Sequence, residues 1–137
     1  MVNTLGHHGL GCNVSKGRLP RHYHLNDVMK RSLNSAGTPS WLEPVGLDRG
    51  DGRRPDGLTI FPFTDGKNLS WDATCRDTYC KTNLKETAFK AGAAATVAEE
   101  EKRKFYSSLQ SRYRFEPLAI ETSGAYGKSS AKLVAEI

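Results

Sequence analysis

RPDGLTIFPFTDGKNLSWDATC, residues 54–75, is the stretch that decides the fold. Asp65-Gly66 near its centre is a strong tight-turn signal, because both residue types accept the positive φ that a two-residue hairpin loop needs. Leu58 to Phe63 reads as the strand before the turn. Leu69 to Thr74 reads as the strand after it, with a period of two: Leu69, Trp71 and Ala73 on one face, Ser70, Asp72 and Thr74 on the other. A hairpin folded about residue 64 sets Asp56 nearly opposite Asp72, and Pro62 can place a bulge that adjusts the register.

Working outward, Trp41 to Val45 predicts another short strand, with Pro44 placing it at a sheet edge or bulge. Gly46 to Gly57 is a polar, Gly-rich loop. Upstream, Pro20 can open a helix, since its missing N–H would be unpaired in the first turn. Leu25, Val28, Met29, Leu33 and Ala36 follow helical spacing until Gly37 and Pro39 end the run. Downstream, Lys85 to Leu109 reads as one long helix. Phe115 to Glu121 reads as a fourth strand with Pro117 near the edge, and Ser129 to Ile137 as a short final helix. The expected order is α-β-β-β-α-β-α, an α/β (α+β) class, and 137 residues suffice for one hydrophobic core. Residues 1–20 show no period and form a separate leading stretch before a domain at 21–137.

The chain carries 20 Lys plus Arg against 15 Asp plus Glu, a net +5. Lys16, Arg18, Arg21, Lys30 and Arg31 face only Asp27 within residues 1–36, so that quarter is the most basic. A basic end favours a polyanionic partner such as DNA, though the excess is modest. The cysteines Cys12, Cys75 and Cys80 are too few and too odd in number for a disulfide framework, which suits a reducing compartment. No apolar run approaches the ~20 residues a membrane helix needs, and the start lacks a signal-peptide pattern. A soluble, nuclear protein with no membrane partner is the expectation.

Two features carry chemistry. Asp56 and Asp72, brought together by the hairpin, would repel unless a cation lay between them. Mg²⁺ or Mn²⁺ suits such a pair, because hard cations take carboxylate oxygens together with substrate phosphate. The same residues also read as a turn cap (Asp56) and a solvated strand residue (Asp72). Glu43 is an acid within a short apolar strand, read either as a third metal ligand or as an exposed edge charge. Arg53, Arg54, Arg76, Lys81 and Lys85 flank the pair and suit DNA phosphates, which position a duplex without reading its sequence.

Seven pieces in order resemble the restriction-like endonuclease segment that follows the reverse transcriptase in non-LTR retrotransposon polyproteins. They are His8-Gly-Leu-Gly-Cys12; Ser15-Lys-Gly-Arg18 with Arg21-His22; Leu25-Asn-Asp27; Glu43-Pro-Val-Gly-Leu47; Arg54-Pro-Asp-Gly57; Trp71-Asp-Ala-Thr-Cys75; and Glu121-Thr-Ser-Gly124. The resemblance implies a PD-(D/E)xK core, α-β-β-β-α-β, with a mixed sheet flanked by helices. It implies that Asp56 and Asp72 bind the metal and that Glu43 is an auxiliary acid. Thr74 stands where the family's lysine follows the second acid, so the resemblance implies a lysine from the next helix, Lys102 first and Lys104 second. Lys102 also reads as a solvated residue beside Glu99. His8 and Cys12 resemble the back half of a Cys-Cys-His-Cys zinc knuckle, whose zinc would need the leading cysteines of a longer parent protein. The implied activity is nicking of target DNA; the alternative is a catalytically inactive DNA-binding remnant. Gly127-Lys128-Ser129 imitates a phosphate-binding loop, but Thr122 occupies the position of that motif's first glycine, and no nucleotide cofactor is expected.

Overall fold

The computed structural model describes Thr4 and residues 17–47 and 51–137. The elements run α1 (Arg18–Ser35), β1 (Ser40–Leu42), β2 (Gly57–Thr59), β3 (Leu69–Arg76), α2 (Leu84–Thr87), α3 (Ala93–Phe105), a 3₁₀ turn (Ser107–Leu109), β4 (Arg114–Glu121) and α4 (Lys128–Glu136). This is a mixed α/β fold. Its four-stranded sheet has the order β1-β2-β3-β4, with β1/β2 and β2/β3 antiparallel and β3/β4 parallel.

Asp65 and Gly66 both hold positive φ, 51° and 72°, as the hairpin reading requires. Gly57 pairs with Trp71 and Leu58 with Ser70, so one further step brings Asp56 opposite Asp72. The expected bulge lies on the first arm. Thr59 to Phe63 stand against Asn68 and Leu69, between the Thr64–Lys67 bridge and the end of the β2–β3 ladder at Leu58–Ser70. This is why β2 stops at Thr59 and not at Phe63. Thr59 secures the junction: its carbonyl accepts Asn68 Nδ2–H and its hydroxyl accepts the Leu69 N–H.

β3 departs from the half-solvated strand its alternation suggested. Leu69 through Ala73 are all buried, polar Ser70 and Asp72 included, because helices cover both faces of this central strand. Trp71 and Ala73 pack with Met29 and Leu33 of α1 and Leu133 of α4. On the opposite face Ala95 and Ala98 of α3 meet Ala119 of β4, and small side chains there let the helix sit close. Pro117 is tolerated because β4 ends the sheet.

α1 begins at Arg18, two residues before Pro20. The first four helical N–H groups have no internal partner, so a proline at the third position costs nothing there. The helix runs across the expected division between residues 20 and 21 without a break. The single helix expected over 85–109 is split at Gly92, with φ 78°, where a Cβ would meet the Tyr126 carbonyl oxygen at 2.1 Å. β1 ends at Leu42, before Glu43, which holds φ 50° ahead of Pro44; residues preceding proline usually stay extended, so the chain turns out of the sheet there. Among the described residues no helix is long and apolar enough to cross a membrane.

Candidate active site

β3 is longer than its neighbour β2, and the site grows from that mismatch. Past Gly57 the β2 backbone leaves the ladder, and the N–H of Ala73 is left without a strand acceptor. The Asp56 carboxylate fills the gap, its Oδ2 accepting the Ala73 N–H at 2.7 Å. The Asp56 backbone is fixed on both sides: its N–H donates to the Trp71 carbonyl at 2.9 Å and its carbonyl accepts the Glu43 N–H at 2.7 Å. Gly57 is obligatory in this corner. A Cβ there would lie 2.1 Å from the Trp71 ring, so only glycine lets the strand pass over the indole.

Asp72 projects from β3 toward α3, where Lys102 Nζ donates to its Oδ1 at 2.9 Å. Lys102 continues the stripe that begins with Ala95 and Ala98, one turn further on, where the helix passes beyond the alanine contact and the side chain can reach the sheet. The Asp72 side chain is only 7% exposed and that of Lys102 32%. Asp56 bonds to the peptide immediately following Asp72, so the two carboxylates share one corner. Burial pushes the Asp56 carboxyl above its ordinary value, and the Asp72 charge pushes it further; the Ala73 N–H, His22 and Asn26 oppose this in part.

Asp56, Lys102, Glu43, Arg53 and Arg54 line one open cleft of about 590 Å³, with Tyr106 at its wall. The Tyr106 hydroxyl donates to the Arg54 carbonyl at 2.9 Å and the Arg53 guanidinium lies 5.4 Å from the Phe105 ring centre. Glu43 is at the rim, more than half exposed and ion-paired to Arg54. Arg76 does not itself line the cleft but pairs with Glu101, which does. Lys104 is exposed. His8 and Cys12 lie outside the described residues. Among the described residues no three His, Cys, Asp or Glu side chains converge as a preformed metal cage.

Three participants were not singled out for these roles by sequence. His22 of α1 places Nε2 3.0 Å from Asp56 Oδ2. Asn26, one turn on, accepts the Trp71 indole N–H at 3.0 Å. Their i,i+4 spacing puts both on one face of α1. Glu99 does not pair with Lys102. It is buried against the start of α4, accepting the N–H of Ser129 at 3.0 Å, the N–H of Ser130 at 2.8 Å and the Ser130 hydroxyl at 2.6 Å. The amides that a phosphate-binding loop would aim at its ligand are thus donated to a carboxylate. Glu121 does the same for α3, accepting the Ala94 N–H at 3.0 Å.

No protein-family model matches the chain, and no curated protein matches it.

Proposed function

We propose that this chain is a metal-dependent DNA endonuclease on a PD-(D/E)xK restriction-like core, the nicking segment of a non-LTR retrotransposon polyprotein acting in the nucleus. The observation that carries the reading is the Asp56 carboxylate on the Ala73 N–H beside Asp72, with the Lys102 ammonium 2.9 Å from that second acid, and with Asp56 and Lys102 lining an arginine-rimmed cleft. This arrangement supports the acid–acid–lysine set that the resemblance implies, with Lys102 of α3 standing in for the lysine absent at Thr74.

The donor set fits a hard divalent cation. The Asp72 charge raises the cost of ionising Asp56, which a cation between them removes, and Mg²⁺ commonly takes one or two carboxylates with its remaining positions left to water and phosphate. Asp56 and Asp72 would hold the ion. When bound, Mg²⁺ or Mn²⁺ supplies charge stabilisation at the phosphate and acidifies a water. Lys102 brings a positive charge and N–H donors to the same corner, suited to the charge that develops on the phosphate oxygens. Arg53 and Arg54 at the mouth suit the flanking phosphates, and Phe105 and Tyr106 back them with apolar surface that excludes water. Glu43 serves at the rim, holding Arg54 until a phosphate competes for it.

A specific observation favours a second reading, a non-catalytic DNA-binding remnant. Each acid already has a cationic or hydrogen-bonding partner, His22 on Asp56 and Lys102 on Asp72, so the corner is satisfied without metal. Incubating supercoiled DNA with the protein in Mg²⁺, Mn²⁺ and EDTA separates the two. The nuclease converts supercoils to nicked circles only with divalent ions. The remnant retards DNA with a steep salt dependence and cuts under none of these conditions.

A further inference from the structure

We propose that His22 is a positioning residue for Asp56, fixing the first metal-binding carboxylate from the helix side while Ala73 fixes it from the strand side. This rests on the metal-dependent nuclease reading and names a part of that site which the acid–acid–lysine set omits.

Aspartate at the end of a strand has two soft side-chain torsions and would sample several orientations in an open cleft. Here two contacts fall on one oxygen: Ala73 N–H at 2.7 Å and His22 Nε2 at 3.0 Å from Oδ2. The two contacts come from different elements, the Ala73 N–H from β3 and the His22 imidazole from α1, so they constrain the carboxylate from different directions. α1 is itself locked to the same strand, since Met29 and Leu33 pack on Trp71 and Ala73 and Asn26 Oδ1 accepts the Trp71 indole N–H at 3.0 Å. His22 and Asn26 lie one helical turn apart on one face, so the helix delivers both to the corner together. Sheet register sets where Asp56 stands, and α1 sets how its carboxylate is turned. Partners that orient a metal-binding carboxylate matter to affinity: their loss typically costs about 10–100-fold in metal binding or activity.

The test is Mn²⁺ binding by electron paramagnetic resonance, with nicking rates measured alongside, on the parent chain, His22→Ala, His22→Gln and Asp56→Asn. Glutamine retains an N–H donor near the position of Nε2. We expect His22→Ala to weaken Mn²⁺ binding about tenfold or more and to lower the nicking rate with little change in DNA affinity, and His22→Gln to recover most of both losses. Circular dichroism melts identify any variant that fails to fold. If His22→Ala misfolds, His22→Gln against a bulkier His22→Leu carries the comparison. Mn²⁺ binding that is unchanged or tighter without the His22 donor, while Asp56→Asn abolishes it, overturns the positioning role and leaves the nuclease reading standing. A folded parent that neither binds Mn²⁺ nor nicks DNA overturns both.

Discussion

Replacing Lys102 by Met keeps the length and packing of the side chain and removes its charge, leaving the Asp72 carboxylate without its ammonium. Exposed ion pairs are worth about 0.2–1 kcal/mol, while removing one partner of a fully buried pair costs about 3–5 kcal/mol. With Asp72 7% exposed and Lys102 32%, this pair falls between those limits. We therefore expect a loss of about 2 kcal/mol, which for a chain of this size lowers Tm by roughly 6–10 °C. The remaining charge on Asp72 causes most of that loss, so adding Asp72→Asn should restore at least half of it. Arg31→Met supplies the control: Arg31 and Asp27 form an i,i+4 pair with both side chains more than half exposed, and its loss should hardly register. Calorimetric melts of the parent, both single variants and the Lys102→Met/Asp72→Asn double, in EDTA, measure this directly. A Tm for Lys102→Met as high as that of Arg31→Met, or a double variant no better than Lys102→Met, would refute the view that Lys102 neutralises the buried Asp72 carboxylate.

Other consequences follow from the same corner. The folded state raises the Asp56 carboxyl above its ordinary 3.8, so it binds that proton more readily than the unfolded chain. The stability it contributes is complete below about pH 3.8 and is lost as pH rises through the raised value. Asp56→Asn should therefore make the metal-free protein more stable at neutral pH and flatten its stability profile across that window, which urea melts at a series of pH values will show. Gly57→Ala forces a methyl against the buried Trp71 ring and should cost at least about 3 kcal/mol or prevent folding, read as lost near-ultraviolet dichroism of the indole. Glu99→Ala leaves the Ser129 and Ser130 donors at the start of α4 without their acceptor and should destabilise by about 3–5 kcal/mol, with amide exchange accelerated first in α4.

The hairpin that places the acids was legible because its signals are local. Asp65-Gly66 fixes the turn, alternation fixes the faces of β3, and the Asp56–Asp72 midpoint fixes the pairing. The short extent of β2 was not legible, since the bulged Ile60 to Phe63 arm looks like strand until Thr59 closes the ladder on Asn68 and Leu69. Lys102 carried a readable signal, a lysine at the next place in an alanine stripe. Glu43 illustrates the opposite case. Its apolar neighbours suggested a strand interior, whereas its positive φ and its pairing with Arg54 put it at the cleft rim. The buried polar groups Asn26, Glu99 and Glu121 escaped for a common reason: each is satisfied by a partner at least 27 residues away in sequence, and periodicity reads only neighbours.

The most direct measurement is nicking of supercoiled plasmid by the purified chain in Mg²⁺, beside Asp72→Asn and Asp56→Asn at matched DNA occupancy. The account expects the parent to nick, EDTA to stop it, and each variant to lose cleavage while still binding DNA. Cleavage that survives either substitution, or that proceeds in EDTA, contradicts the claim that Asp56 and Asp72 form one metal-dependent catalytic corner.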